Sequence, residues 1–328
     1  MTLTLNDIRK ITRGALSVRE EAEKFYFERF SEEQKDYYLK AFERSGIRAA
    51  ATASVILDFY TDSENLSFDY EIDQLNYNLS DFLFFDVYED SIMIAHVGEH
   101  KKKWLSGSVN IPLKKGEKRV RVYFPNIFKM SVSKVTIDDG ASLRAHVGGR
   151  KALILGDSIT QGNEAFYPSL TYANTLIRDL ELDAVNQAIG GEIFRAGALG
   201  NTPLFSPDII TVAYGTNDWV SGFIPEMARE YFEKLVSLYP NAKIFYISPI
   251  WRENSEREVG GYTFRAACEK LKSLAREAGL LVIEGENIMP PVPDLYCDGL
   301  HPTDLGFTEY SKNLIKALKE NGVSSDEF

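Results

Sequence analysis

The stretch Lys151-Ala-Leu-Ile-Leu-Gly-Asp-Ser-Ile-Thr-Gln-Gly162 decides how the chain is organised. Its first half is a continuous apolar run of strand length, which is typical of a strand buried on both faces of a parallel sheet. Its second half is small, polar and flexible. Gly156, Asp157 and Ser158 are therefore predicted to follow the carboxyl end of a central strand, the edge where open α/β sheets bind ligands.

The rest of residues 148–328 alternates between strand and helix patterns. Apolar runs predict strands at 152–155, 182–186, 209–214, 243–247 and 280–283. Amphipathic stripes between and after these runs predict the intervening and final helices. Five strands with right-handed helical crossovers predict a three-layer, flavodoxin-like α/β/α domain with strand order 2-1-3-4-5.

Residues 1–147 have a different pattern, in which aromatic and β-branched runs follow period two. Candidate strands lie at 15–18, 24–30, 47–60, 66–72, 82–88, 92–97, 105–111, 119–124 and 128–137. Ser31 and Gln34 predict a capping box at the start of one short helix that ends near Gly46. Consecutive strands without helices favour an antiparallel, jelly-roll-like β-sandwich, so we predict an N-terminal sandwich domain at 1–147 and a separate α/β domain at 148–328.

The composition narrows the class of function. The chain has 328 residues and a formal net charge of -11, and its one basic run is Lys101-Lys-Lys103, which argues against a nucleic-acid partner. Cys268 and Cys297 are too few for a disulfide framework and lack metal-ligand spacing. Residues 1–10 lack the apolar core of a signal peptide, and no run is long enough to cross a bilayer. These features predict cytoplasmic residence without a membrane partner.

The Gly-Asp-Ser triplet alone does not indicate a function, since such triplets are common in turns. Three further sequence blocks make it more specific. They are Asn186-Gln-Ala-Ile-Gly-Gly191, Gly215-Thr-Asn-Asp218 and Asp298-Gly-Leu-His301-Pro-Thr303. In this order, the four blocks resemble those of the SGNH or GDSL-type serine hydrolases, over roughly residues 150–320. A β-sandwich before such a domain is similar to the arrangement in some carbohydrate esterases of that family.

A nucleophilic serine needs a base, and that base needs an orienting partner. His301 is the one histidine that follows the strands of the α/β domain, and Asp298 can fold back onto it within the same loop. The resemblance implies the same catalytic residues, with Ser158 as nucleophile, His301 as base and Asp298 as orienter. We also predict that Thr303 caps the last helix.

The resemblance further implies an oxyanion hole made by the backbone N–H groups of Ser158 and Gly191 and by the side-chain amide of Asn217. Two features depart from the family pattern or leave it open. Ala188 replaces a glycine common in the second block, and Gly190 beside Gly191 leaves the backbone donor ambiguous by one residue. Asp157 is expected to have a structural role in the loop.

Aromatic residues near the predicted edge suggest how a substrate binds. We predict substrate contacts from Trp219, Trp251 and Phe194, which suit either a sugar or an acyl chain. The predicted activity is removal of a short acyl group, such as acetyl, from a carbohydrate or similar polyhydroxy small molecule. An acyltransferase using the same site and a non-catalytic carbohydrate-binding protein are the alternatives.

No cofactor or metal is expected, because the histidine pair His96 and His100 has Gly98 between its members and lacks a third ligand. A homo-oligomer is compatible with the sequence, although no motif specifies one.

Overall fold

A computed structural model describes residues 1–73, 82–100 and 105–323, so the basic run at 101–103 lies outside the described residues. The helices are α1 Leu5–Ile11, α2 Glu32–Ala41, α3 Glu43–Ala49, α4 Ser158–Gln161, α5 Tyr172–Asp179, α6 Thr216–Val220, α7 Pro225–Leu238, α8 Phe264–Glu277, α9 Gly285–Ile288 and α10 Asp304–Glu320.

The strands of the N-terminal part are β1 Thr12–Arg13, β2 Ser17–Glu21, β3 Lys24–Glu28, β4 Ile56–Thr61, β5 Asn65–Ile72, β6 Phe82–Glu89, β7 Ile92–His100, β8 Ser106–Pro112, β9 Lys118–Tyr123, β10 Met130–Ile137 and β11 Arg144–Ala145. Those that follow are β12 Lys151–Gly156, β13 Asp183–Asn186, β14 Ile209–Ala213, β15 Lys243–Ile247, β16 Glu258–Val259, β17 Tyr262–Thr263 and β18 Leu281–Ile283.

Two antiparallel sheets form the N-terminal part. One sheet has the order β1-β4-β9-β6-β7, with β11 also paired to β4, and the other has the order β2-β3-β10-β5-β8. Alternate residues of β5 are buried, among them Leu66 and Phe68, and they share one apolar core with Phe85 and Val122 of the other sheet. This arrangement confirms the antiparallel sandwich predicted from period two. Such a sandwich produces period two because only one face of each sheet needs to be apolar.

The helices of this part differ from the prediction. The capping box at Ser31 and Gln34 is confirmed, but the described residues before β12 contain three helices instead of one. The predicted strand at 47–60 is wrong over its first half, where α3 runs to Ala49 and the chain turns before β4 begins at Ile56. The alanine-rich stretch at 49–53 suits a helix end and tight packing better than a strand.

The C-terminal part is built on a parallel sheet with the order β13-β12-β14-β15-β18. In sequence order this is 2-1-3-4-5, as predicted. Residues of β12 alternate between the two faces: Ile154 belongs to the core under α5 and α10, and Leu153 belongs to the core under α7 and α8. Burial on both faces explains the unbroken apolar run of β12.

The two parts are joined by contacts as well as by the chain. Arg119 of β9 binds both carboxylate oxygens of Asp58 and the carboxylate of Glu181, and His146 Nε2 lies 2.9 Å from that same carboxylate. The domain boundary at 147/148 stays a prediction. Across the described ranges, no helix combines the length and the apolar content needed to cross a membrane.

Candidate active site

The side chain of Ser158 lies where β12 ends. Asp157 is the N-cap of α4, and its Oδ1 accepts a hydrogen bond from Ile159 N–H at 3.0 Å, so Ser158 occupies the first turn of a short helix. A Cβ at Gly156 would lie 2.0 Å from Thr160 Oγ1, so only glycine lets the strand turn this closely into α4. The serine is thereby held at the carboxyl edge of the sheet.

The loop before α10 brings an imidazole to this serine. His301 Nε2 lies 2.8 Å from Ser158 Oγ, and His301 Nδ1 lies 2.7 Å from Asp298 Oδ2. Asp298 Oδ1 accepts from the N–H groups of Leu300 and His301, which fixes the loop around the carboxylate. Thr303 caps α10, as predicted. The three side chains thus form one continuous hydrogen-bonded chain.

The ionisation of Asp298 follows from these contacts. Partial burial alone would raise its pKa, but hydrogen bonds from the backbone and side chain of His301, together with the nearby charge, lower the pKa of Asp298 below its usual value. The carboxylate of Asp298 is therefore charged at neutral pH. A charged partner at Nδ1 leaves Nε2 facing the serine hydroxyl.

The second sequence block presents two adjacent glycines, and the structure distinguishes them. Gln161 Oε1 accepts a hydrogen bond from Gly190 N–H at 2.6 Å. Within the described part of the chain, the N–H groups of Gly191 and Ser158 have no acceptor. Gly191 has φ +81°, a left-handed conformation that strains other residues. Gly191 and Ser158, rather than Gly190, therefore have backbone donors available to a ligand.

Asn217 contributes an amide from the first turn of α6. Its Nδ2 donates to Glu192 O at 3.0 Å and lies 3.4 Å from Asp157 Oδ2. These contacts tie the third sequence block to the first and to the second. The amide is thus held in a fixed orientation before any ligand binds.

Three acidic side chains lie buried around Asn217. Burial raises the pKa of Asp157 to about 6 and that of Asp218 to about 7, because a charged carboxylate loses its hydration there. Burial likewise raises the pKa of Glu192, although Arg195 pairs with its carboxylate. Asp157 is therefore both the cap of α4 and a partner of the Asn217 amide, in keeping with its expected structural role.

The N-terminal part braces the second sequence block from behind. The guanidinium of Arg29 is 1% exposed and donates to the carbonyls of Asn186 and Ala188, as well as to two carbonyls of the α3 region. Gln34 Nε2 donates to Gln187 Oε1 at 3.0 Å, and Asn186 Nδ2 donates to Ser54 Oγ at 3.1 Å. The backbone that carries Gly190 and Gly191 is therefore anchored by residues of the sandwich side.

The structure corrects two of the three predicted substrate contacts. Trp219 and Phe194 are 0% exposed. The Trp219 indole N–H donates to Tyr262 O, and Phe194 packs edge-on against Tyr214, Tyr231 and Phe232. Apolar side chains near a sheet edge enter the core when a helix covers them, as α7 and α8 do here. Trp251 is partly exposed beside Tyr296 and stays a predicted substrate contact.

Three residues at the site were not predicted from the sequence, namely Gln161, Arg29 and Arg48. Gln161 lies inside the first sequence block, and its proximity to the serine was a usable clue. Arg29 and Arg48 lie far from the α/β domain in sequence. Arg48 donates to Gly190 O, yet it lies in the segment predicted to be a strand. A contact across 142 residues leaves no local pattern to detect.

His96 has protein partners of its own in the structure, whereas the side chain of His100 lies outside the described residues. His96 Nδ1 lies 2.7 Å from Asp86 Oδ1, and its ring stacks on Phe84 and packs against Tyr167. Among the residues with described side chains, no group of three potential ligands converges on a point.

Comparison with known proteins shows which family the sequence of the α/β part resembles. Residues 154–308 match the GDSL-like lipase/acylhydrolase family. A 101-residue stretch is 29% identical to an arylesterase from Vibrio mimicus, covering 29% of this chain and 50% of the arylesterase. The match therefore spans about half the length of that curated relative.

Solved structures share the fold over most of the chain. A salicylyl-acyltransferase, SsfX3, from a tetracycline biosynthetic pathway superposes with a TM-score of 0.77 and 20% identity, covering 95% of this chain and 94% of its own. A family two carbohydrate esterase from Clostridium thermocellum, solved with cellohexaose, gives a TM-score of 0.60 and 17% identity, covering 83% and 93%. At these identities the likeness to the solved structures concerns the fold, and residues 154–308 of the α/β part carry the match to the GDSL-like lipase/acylhydrolase family.

Proposed function

We propose that the protein is a serine esterase that works through an acyl-enzyme intermediate. The observation that carries this proposal is the 2.8 Å contact between Ser158 Oγ and His301 Nε2, with Asp298 on the other imidazole nitrogen. A neutral serine hydroxyl is a poor nucleophile, and an adjacent base removes its proton as it attacks. The match of residues 154–308 to the GDSL-like lipase/acylhydrolase family supports the same activity.

In the first half of the reaction, Ser158 Oγ attacks the ester carbonyl carbon and His301 Nε2 takes the hydroxyl proton. The negative charge that develops on the carbonyl oxygen is stabilised by the N–H groups of Ser158 and Gly191 and by the Asn217 amide. The carbon–oxygen bond to the alcohol then breaks. His301 returns its proton to the departing oxygen, which leaves the acyl group on Ser158.

In the second half, water replaces the alcohol. His301 removes a proton from water as the oxygen attacks the acyl carbon, and the same donors stabilise the second tetrahedral intermediate. The bond to Ser158 Oγ breaks and His301 returns the proton to the serine. Asp298 keeps the imidazole oriented throughout and stabilises its charged form.

We further propose that the acyl group is acetyl and that the alcohol is a carbohydrate or similar polyhydroxy compound. The shared fold with a family two carbohydrate esterase, including its extent across both parts of the chain, supports this substrate class. The partly exposed Trp251 offers an aromatic face of the kind that stacks on a sugar ring. Cytoplasmic residence and a possible homo-oligomer stay predictions of the sequence.

Labelling by a fluorophosphonate tests the activity directly. We expect labelling of the wild-type protein and none of Ser158→Ala, because the probe reacts with an activated serine. Ser221→Ala is a matched control, since Ser221 is an exposed serine at the end of α6. Equal labelling of Ser158→Ala and wild type, or none of either, would contradict the esterase proposal.

Substrate screening tests the finer proposal. Aryl esters of increasing chain length and acetylated sugars should give the highest kcat/KM for acetyl esters. A preference for long acyl chains would overturn the acetyl assignment. Adding an acceptor alcohol and analysing the products separates hydrolysis from transfer: free acid indicates the esterase, and a new ester indicates an acyltransferase.

A further inference from the structure

The guanidinium of Arg48 lies beside the proposed oxyanion hole. Arg48 belongs to α3, and its Nη1 donates to Gly190 O. A methyl group placed on the Cα of Gly191 would lie 3.1 Å from Arg48 Nη1 and would meet nothing else within 4 Å. The space in front of Gly191 is therefore open apart from this cation.

An amide lies on the same side of the block. A methyl group placed on Gly190 would lie 3.3 Å from Gln161 Oε1, which already accepts from Gly190 N–H, 3.5 Å from Arg48 Nη1 and 3.6 Å from Asn163 Nδ2. Asn163 follows α4, and its N–H donates to Ser158 O. Arg48 and Asn163 thus approach Gly190 from two different parts of the chain, and the backbone of Asn163 is bonded to that of Ser158.

The charge of Arg48 is uncompensated. Among the described residues, no carboxylate pairs with it, and burial followed by the neighbouring charge of Arg44 lowers the pKa of Arg48. Arg119 and Arg195, which are also partly buried, both bind carboxylates. A half-buried guanidinium that lacks a counter-ion has lost hydration without gaining an ion pair, in a chain with net charge -11.

A guanidinium has five N–H donors, and only one of those of Arg48 is used in a hydrogen bond to the described residues. Its remaining donors are suited to the bidentate recognition of a carboxylate or phosphate. The neighbouring Asn163 amide can add a further hydrogen bond to such an oxygen.

From this geometry we propose that Arg48 binds an anionic group of the substrate, so that the ester hydrolysed at Ser158 carries a carboxylate or a phosphate close to the reacting carbonyl. This inference rests on the proposed esterase activity and narrows its substrate class. An acetylated sugar acid and an acetylated sugar phosphate are the two forms of such a substrate within the carbohydrate class.

Three substrates with the same ring test the proposal: an O-acetylated methyl hexoside, the matching hexuronide and the matching hexose phosphate. We expect wild-type kcat/KM to be about tenfold or more higher for one charged ester than for the neutral one. Comparing the hexuronide with the hexose phosphate identifies whether the site binds a carboxylate or a phosphate. Arg48→Gln should lower kcat/KM for that ester by about 10- to 100-fold more than for the neutral ester, whose own smaller loss reports the missing contact to Gly190 O.

Two controls isolate the charge of Arg48. Arg44→Gln removes the neighbouring exposed guanidinium and should leave the preference intact. Arg48→Lys keeps the charge without the fork and should retain part of the preference. An equal loss for the charged and neutral esters in Arg48→Gln would show that Arg48 only positions Gly190, and it would overturn the proposal.

Binding to the Ser158→Ala protein separates this inference from the esterase proposal. Calorimetry with the charged ester, which Ser158→Ala cannot hydrolyse, should show that this variant binds the ester. The double variant Ser158→Ala/Arg48→Gln should bind the same ester about tenfold or more weakly. Absence of Ser158-dependent hydrolysis contradicts the proposed function alone. If the wild-type protein binds and turns over the neutral ester as well as both charged esters, the anion site is contradicted and the esterase proposal is not.

Discussion

Gln161 Oε1 accepts a hydrogen bond from Gly190 N–H at 2.6 Å. This contact links α4, the helix that begins at Ser158, to the glycine pair of the second block. It occupies the donor of Gly190, whereas the N–H of Gly191 has no acceptor among the described residues. One buried amide therefore decides which of two neighbouring glycines is available to stabilise an oxyanion.

Gln161→Met should lower kcat while KM changes little. Methionine has a similar length but no acceptor oxygen, so Gly190 N–H loses its buried partner and the glycine pair loses its fixed orientation. We expect a fall of about tenfold in kcat, measured with an acetyl ester. Circular dichroism should show retained folding, and unchanged kcat would mean that Arg48 and the other braces suffice.

Asn217→Ala should remove one oxyanion donor. We expect kcat to fall about 100-fold or more with KM nearly constant, because the amide acts on the transition state more than on the bound ester. Steady-state kinetics on the same ester provide the measurement. Asn201→Ala is a matched control at an exposed asparagine and should behave as wild type. Comparable kinetics in both variants would remove Asn217 from the hole.

Asp298→Asn should lower turnover without unfolding the protein. The asparagine Oδ1 can still accept from the N–H groups of Leu300 and His301, but its NH2 cannot accept from His301 Nδ1. The imidazole then favours the wrong tautomer toward Ser158. We expect kcat to fall by about 100-fold or more. Wild-type turnover in this variant would exclude Asp298 from the triad.

Arg29→Met should destabilise the fold. Arg29 is fully buried, and burial lowers its pKa to about 9, yet its guanidinium satisfies four backbone carbonyls. Methionine leaves these acceptors without donors, and we expect a loss of about 2–4 kcal/mol in the free energy of unfolding. Denaturant unfolding measures it. Arg29→Lys should lose less, because an ammonium retains up to three donors. Equal stability in all three proteins would contradict the bracing role.

Asp157→Asn should change the pH dependence of stability. Burial raises the folded-state pKa of Asp157 from 3.8 to about 6, so the folded protein binds this proton more tightly than the unfolded chain. The wild-type protein therefore loses stability as pH rises through this window. The variant carries no charge there, and its unfolding free energy relative to wild type should rise between pH 4 and pH 7 by roughly 3 kcal/mol at most.

Asp298→Asn provides the control of opposite sign for this experiment. The pKa of Asp298 is lowered in the folded state, so its contribution to stability is present above the unfolded value and is lost as pH falls. The unfolding free energy of this variant relative to wild type should therefore fall as pH rises. If the unfolding free energy relative to wild type changed with pH in the same direction in both variants, the opposite pKa shifts of Asp157 and Asp298 would be contradicted.

The sequence by itself determined the α/β fold and predicted the residues of the proposed triad. The apolar run at 152–155 predicted β12, because a strand covered on both faces has no polar alternation. Ser158 and His301 were predicted from four short sequence blocks that resemble those of the SGNH hydrolases, and each block is a local pattern. The same applies to the capping box at Ser31.

Only the tertiary structure decided which side chains share a surface. Phe194 and Trp219 follow strand ends like other site residues, but α7 and α8 cover them, so they belong to the core. Arg29, Gln34 and Arg48 reach the second block from more than 140 residues away in sequence. Backbone periodicity reports the environment of neighbouring residues only. Contacts between distant segments depend on how the two parts pack, and this packing determined both the choice of Gly191 and the cation beside it.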